Sequence, residues 1–248
     1  MGARKTDGVG RIDATWNPIT GCTKVSPGCK HCYAETLALR LQGIGAPKYK
    51  NGFALTLQSE HLDLPRTWKR PRFVFVNSMS DVFHEGVPEE YVHAIFRVMR
   101  ETPRHLYMML TKRSERLLEL APRLDWAENV WMGVTVENAD YTFRIDHLRE
   151  VPARLRFLSL EPLLGPLPGL NLSGIEWVLV GGESGRGARP LRAEWVTLAR
   201  DQCAAAGVPF TFHHWGGENS RLTGRTLEGR IYDEVPARYH RTAQLSLF

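Results

Sequence analysis

With 248 residues, 43% of them hydrophobic and 24% charged, the chain sits in the ordinary globular range and is long enough for one large α/β domain. The sequence holds no run of eighteen or more apolar residues, as a membrane span would need, and the opening MGARKTDGVGRIDA lacks the apolar stretch of a signal peptide, so a cytoplasmic protein is expected. The net charge of +5 and pI near 9.1 favour a polyanionic partner without identifying one, since a solvated, arginine-rich surface gives the same balance.

In chain order, a first short strand is expected near ATWNPIT, directly ahead of the stretch GCTKVSPGCKHCYAE at residues 21–35. That stretch holds three of the four cysteines, Cys22, Cys29 and Cys32, spaced C-x6-C-x2-C. In a reducing compartment such a cluster points to metal ligation or redox chemistry rather than disulfides, and three thiols cannot pair completely. Gly21, Pro27 and Gly28 supply the turns that bend a loop around a metal, and a helix begins at Tyr33. Zinc would need a fourth ligand, from His31, His84, His213 or His214. A [4Fe–4S] cluster on three thiolates instead leaves one iron open to bind something else. Unliganded thiols are the third reading. Cys203, within the apolar pattern of WVTLARDQCAAAG, is most simply a small buried residue.

Beyond the cysteines, six β-branched or aromatic runs recur: FVFVN (73–77), HLYMMLT (105–111), NVWMGVTV (129–136), RLRFLSL (154–160), IEWVLVG (175–181) and PFTFHHW (209–215). Helical patterns separate several of them. In PEEYVHAIFRVMRE, Pro88 suits a first turn and Tyr91, Val92, Ile95, Phe96 and Met99 share one face; NADYTFRIDHLREV and RAEWVTLARDQCAAAG behave similarly. Alternation of this kind gives right-handed βαβ units and a parallel sheet, and about seven strands suit a partial (βα) barrel better than a closed eightfold one. The expected organisation is a single α/β partial-barrel domain over 1–235, with a cysteine loop at 21–33, and a flexible tail over 236–248.

Each strand ends at its C-terminal side in groups an apolar core rejects: Asn77, Ser78, Ser80 and Asp81; Thr111, Lys112 and Arg113; Thr135, Glu137 and Asn138; Ser159 and Glu161; Gly182, Glu183 and Ser184; His213 and His214. Ligands bind at that edge in parallel α/β folds, so these residues are candidates for one site. GGESGRGARP lacks the Lys-Ser/Thr of a P-loop and is not read as one. Its glycines would let backbone approach a ligand, with Glu183 as a carboxylate and Arg186 and Arg189 as phosphate contacts; a surface turn is the plain alternative. Lys112 and Arg113 either meet a phosphate or carboxylate in the mouth or pair with Glu137, Glu161 or Glu183. Successive strand residues alternate, so only one of His213 and His214 faces the interior, as a proton donor or a satisfied core histidine.

The cysteine loop after a first strand and the repeated βα units resemble the radical S-adenosylmethionine enzymes, whose usual first gap is three residues shorter. More closely, TWNPITGC, SPGCKHCYAE, NSMSDVFHE, LTKRSERL, GVTVEN, LEPLLG, WVLVGGESG and HHWG resemble, in order over roughly residues 14–217, a phage-associated three-cysteine family of unknown function. The resemblance implies a radical-SAM-like fold in which Cys22, Cys29 and Cys32 ligate three irons and the open iron takes S-adenosylmethionine, whose reductive cleavage yields a hydrogen-abstracting radical. It also implies that Ser78, Ser80 and Asp81 meet the methionine amino group and that Thr135, Glu137, Asn138 and Glu161 serve the rest of the cofactor. Substrate would then meet Lys112, Arg113, Glu183, Arg186, His213 and His214. Trp16, Trp68 and Trp215 are candidate stacking surfaces for a base, although core packing is the commoner fate of tryptophan.

The last five residues, Gln244, Leu245, Ser246, Leu247 and Phe248, resemble the pentapeptide with which bacterial proteins bind the DNA polymerase sliding clamp. Clamp tethering raises local concentration on DNA without strong intrinsic affinity. The expectation is therefore a monomeric [4Fe–4S] enzyme acting on nucleic acid, DNA in particular, for repair or base modification. Two alternatives stand beside it: a non-catalytic zinc- or cluster-stabilised DNA-binding factor, and a radical enzyme acting on RNA or a small nucleotide.

Overall fold

The computed structural model describes residues 12–237 and residue 239. The pentapeptide at 244–248 lies outside the described residues. Seven strands carry the fold: β1 (Ala14–Trp16), β2 (Phe73–Val76), β3 (Leu106–Thr111), β4 (Val130–Thr135), β5 (Leu155–Leu160), β6 (Trp177–Gly181) and β7 (Phe210–His214). They pair in chain order, every pair parallel, with β1 and β7 left as the two edges. The result is a curled α/β half-barrel.

Parallel neighbours need a crossover, and helices supply five of the six: α1 (Tyr33–Gly43), α2 (Glu89–Glu101), α3 (Ser114–Leu120), α4 (Phe143–Arg149) and α5 (Ala193–Ala206), while residues 161–176, which join β5 to β6, form no helix. Pro88 stands just before α2 as its cap rather than inside its first turn, with extended backbone at ψ 141. Gly207 ends α5 in the left-handed conformation, φ 65, where a side chain would be strained. Among the described residues no helix is long and apolar enough to cross a membrane.

Alternation along each strand separates two apolar layers. Val74, Met109, Met132, Leu158, Val178 and Phe212 point outward into the main core, with Val92, Ile95, Phe96 and Met99 of α2 and Cys203 of α5. Phe73, Met108, Trp131, Phe157, Trp177 and Leu179 point inward. The inner layer is stratified. Its N-terminal half is an aromatic floor, closed by the chain after β7: Val235 and Tyr239 pack on it, and the Glu234 carbonyl accepts hydrogen bonds from Trp177 Nε1 (3.0 Å) and Thr211 Oγ1 (2.7 Å). Gly133 keeps the floor level, since a Cβ there would meet the Phe157 ring at 2.4 Å. Above the floor the inward residues turn polar, and the cysteine loop lies over that end.

Candidate metal and cofactor site

The cysteine loop is laid across the strand ends by a series of ties. At its start, Gly21 has φ 80, and a Cβ there would meet the Ala54 carbonyl oxygen at 2.2 Å, so glycine is required for the loop to turn. At β3, the buried Arg113 guanidinium donates to the Thr23 carbonyl (3.0 Å), to Thr23 Oγ1 (2.9 Å) and towards Cys22 Sγ (3.6 Å), and pairs with Glu85 at 3.0 Å. At β4, Ser26 Oγ donates to the buried Glu137 carboxylate, whose other oxygen accepts from Arg144 Nη1 at 2.9 Å. At β6, the Glu183 carboxylate holds His31 Nδ1 (3.0 Å) and Arg189 Nε (2.9 Å), while Arg189 Nη2 donates to the Pro27 carbonyl at 2.8 Å. The strand-end carboxylates thus grip the loop.

These ties bring Cys22, Cys29 and Cys32 to one cavity of about 160 Å³, lined also by Tyr33, Phe53, Phe75, Asn77, Ser78, Ser80, Asp81, Lys112 and Thr135. All three cysteines are free thiols. Burial, reinforced by the Asp81 charge, pushes the Cys22 thiol up to about 11 against the opposing pull of Arg113. Asn77 has both amide atoms buried without a hydrogen-bond partner and sits at φ 57, a conformation asparagine tolerates better than most side chains. Among the described residues, no three His, Cys, Asp or Glu side chains gather closely enough to hold a single metal ion.

The residues singled out in the sequence divide between cavity and scaffold. Ser78, Ser80, Asp81, Lys112 and Thr135 line the cavity. Within it, Ser78 Oγ donates to Asn17 Oδ1 (3.2 Å), Ser80 Oγ to the Ile19 carbonyl (3.1 Å) and Lys112 Nζ to Thr135 Oγ1 (3.2 Å). Asp81 accepts from Thr111 Oγ1 (2.8 Å), Lys112 N (3.2 Å) and Phe83 N (3.0 Å), which ties the end of β2 to that of β3. Asn138 accepts from Asp140 N (3.1 Å) and caps a short turn away from the cavity. Arg189, read from the sequence as a phosphate contact, is taken up by Glu183, whereas Arg186 is exposed. Trp16 is wholly buried, with Nε1 donating to the His61 carbonyl (2.8 Å), and so has no face for a base.

A second arrangement spans β5 to β7. Glu161 Oε1 meets His213 Nδ1 at 2.7 Å, crossing β6 over Gly181, where a Cβ would lie 2.6 Å from that oxygen. Burial opposes ionisation of Glu161, but the His213 charge and hydrogen bond hold its carboxyl down at about 2 and raise His213 in return. Glu183 is held at about 2 in the same way, its burial outweighed by Arg189 and His31. Gly182, expected to admit a ligand, instead admits the Trp215 carbonyl, 2.1 Å from where its Cβ would be. His214 Nδ1 is buried without a partner. Of the four histidines proposed as a fourth zinc ligand, three are occupied elsewhere, His31 by Glu183, His84 by Thr23 (2.9 Å) and His213 by Glu161, and His214 is the exception. Asn77 stood among the polar strand ends in the sequence, but nothing there distinguished its unpaired amide.

Fold and loop together define an α/β half-barrel protein with a three-cysteine site over the C-terminal ends of its strands. Residues 7–236 match the family described as "Protein of unknown function (DUF5131)", and the chain belongs to that family. No curated protein matches it. Among solved structures, it is similar to spore photoproduct lyase. A mutant of that enzyme with bound AdoMet and dinucleoside spore photoproduct has 13% identity and a TM-score of 0.42, over 70% of this chain and 60% of the lyase. A second structure, of the lyase complexed with the dinucleoside spore photoproduct, gives 13% identity and a TM-score of 0.39 over 66% and 54%. The chain therefore spans less than two thirds of the length of these lyase chains.

Proposed function

We propose that this protein is an iron–sulfur enzyme of the radical S-adenosylmethionine type that acts on DNA, for repair or base modification, and is brought there by the sliding clamp. The observation that carries the chemistry is the placing of Cys22, Cys29 and Cys32 around one cavity at the mouth of a parallel half-barrel. The donor set fits a cluster that takes one thiolate per iron, and its spread is a poor match to a tetrahedral zinc ion, which needs four ligands in one shell. The orphaned Asn77 amide in the same cavity fits a polar ligand beside the cluster. When bound, cluster and S-adenosylmethionine supply one-electron reductive cleavage and hydrogen abstraction.

The chain's own residues do the positioning. Arg113 offers N–H groups beside Cys22 and favours its thiolate over the thiol. Glu137 and Glu183 fix the loop through Ser26 and His31, and Phe53, Phe75 and Leu110 form an apolar wall that limits water at the cavity. Recruitment rests on the resemblance of QLSLF to a clamp-binding peptide, and action on DNA rests on that recruitment and the basic balance of the chain.

Anaerobic reconstitution with iron and sulfide, followed by assay for 5′-deoxyadenosine under strong reductant, tests the chemistry. Product from the wild type and its loss in Cys22→Ala, Cys29→Ala and Cys32→Ala are expected. A colourless, zinc-loaded protein without labile sulfide would overturn the reading in favour of a non-catalytic zinc factor. Clamp binding is tested by comparing the full chain with one lacking residues 244–248; equal affinity for the clamp removes recruitment from the proposal.

A further inference from the structure

On the outer side of the cysteine loop lies a second cleft, of about 480 Å³, between that loop, α1 and the loop after β6. Cys32 and Tyr33 line both this cleft and the cysteine cavity, so the two share a wall. Three cations border it: Lys30 from the cysteine loop, Arg40 from α1 and Arg186 from the loop after β6. All three are exposed.

The charge at this cleft is uncompensated. Among the described residues, none of Lys30, Arg40 and Arg186 has an ion-pair partner, whereas Glu35 in the same cleft is paired with Lys24 at 2.9 Å and the neighbouring Glu183 with Arg189 and His31. Arginines elsewhere are largely engaged, as Arg66, Arg100, Arg123, Arg144 and Arg200 illustrate. Three free cations converging from three segments hold a positive potential that a row of phosphates would relieve.

Tyr33 adds an aromatic surface. Its hydroxyl donates to the Ser78 carbonyl at 2.5 Å, which fixes the ring, yet 59% of the residue remains exposed. Tyr33, Leu37 and Arg40 fall at i, i+4 and i+7 of α1 and so share one face. A fixed aromatic ring beside a cationic track is the arrangement that binds single strands, with bases stacked and phosphates paired.

We infer that this cleft seats the phosphodiester backbone of a single DNA strand, with Lys30, Arg40 and Arg186 meeting phosphates and Tyr33 stacking a base at the threshold of the cysteine cavity. The choice of DNA rests on the function proposed above. A single strand is specified because a base must leave its duplex to reach a cavity behind Cys32.

Anaerobically reconstituted full chain is titrated into a fluorescein-labelled single-stranded DNA oligonucleotide across a salt series. The triple variant K30A/R40A/R186A is expected to bind more weakly, with the slope of log K against log salt smaller by roughly 2, about 0.7 for each lost phosphate contact. K50A/K69A, altered away from the cleft, is expected to keep the wild-type slope. Retention of the wild-type slope by the triple variant overturns the cleft assignment while leaving the function proposal standing. Absence of wild-type binding even at low salt, or tighter binding of the same sequence as RNA, overturns the DNA assignment itself. The 5′-deoxyadenosine assay, run without nucleic acid, reads the cluster chemistry separately from both.

Discussion

Cys22 and Asn77 show how the cavity sets the state of single side chains. Burial pushes the Cys22 thiol up to about 11 from an ordinary 9.0, so its thiolate fraction near pH 8 is roughly a hundredfold below that of a free cysteine. Iodoacetamide labelling followed by peptide mass spectrometry is expected to find Cys22 alkylated about a hundredfold more slowly than a model thiol. Because Arg113 holds the thiol down, Arg113→Ala slows it further; faster labelling in that variant would contradict this role for the guanidinium. Asn77 makes a complementary case. Asn77→Gly keeps the left-handed backbone accessible and removes the unpaired amide, so folding stability is expected to hold or rise. If the amide meets the polar ligand proposed beside the cluster, calorimetry with S-adenosylmethionine on the reconstituted variant records affinity lower by roughly 5-fold, the equivalent of about 1 kcal/mol for one hydrogen bond; unchanged affinity removes Asn77 from the cofactor's contacts.

At the scale of elements, the site depends on how closely the cysteine loop lies on the strand ends. A Cβ on Gly28 would sit 2.5 Å from Glu137 Oε1, and Glu137 cannot retreat because it is fully buried and paired with Arg144. Gly28→Ala is expected to lift the loop, lower iron incorporation and cost about 1–3 kcal/mol in urea unfolding. Gly43, at the end of α1, meets nothing within 4 Å, and Gly43→Ala is expected to be neutral or to stabilise by up to about 1 kcal/mol with iron content unchanged.

The Glu161–His213 link across β5, β6 and β7 gives a pH signature. The depressed Glu161 contributes stability that is full above its ordinary 4.5 and lost as pH falls towards about 2; the raised His213 contributes stability that is full below its ordinary 6.5 and lost as pH rises through its folded value. Comparing wild type with Glu161→Gln by urea unfolding, the gap is expected to be widest between about pH 4.5 and 6.5, at most about 3 kcal/mol, and to close on both sides. Ser159, His214, Arg225 and Asp233 also face this pair and modulate it. A gap independent of pH would mean that Glu161 acts through packing alone.

Across the whole molecule, what the sequence made legible was whatever local periodicity or spacing encodes. The runs FVFVN to PFTFHHW became β2 to β7, and the cysteine spacing marked the loop. Partner choice was not legible. Glu137 meets Ser26 across 111 residues and Arg189 meets Pro27 across 162, pairings that exist only once the half-barrel brings both ends of the chain to one edge. The strand-end carboxylates could be seen as polar groups at that edge, but not as anchors of the loop.

The same closure decides what the C-terminal region does. The sequence placed a tail from residue 236, yet Tyr239 packs edge-on against Phe73 (5.7 Å between centroids) and near Trp131 (6.5 Å), on the floor beneath the site. The chain therefore covers the floor before it reaches the terminal pentapeptide. Tyr239→Ala uncovers aromatic surface and removes two ring contacts, so a loss of about 1–3 kcal/mol is expected in urea unfolding. Deleting residues 244–248 leaves Tyr239 in the chain, and if the pentapeptide serves the proposed clamp contact, the midpoint of the deletion variant is expected to match the wild type. A deletion that destabilises the fold as much as Tyr239→Ala would mean that the pentapeptide contributes to the fold, which would count against the proposed clamp recruitment.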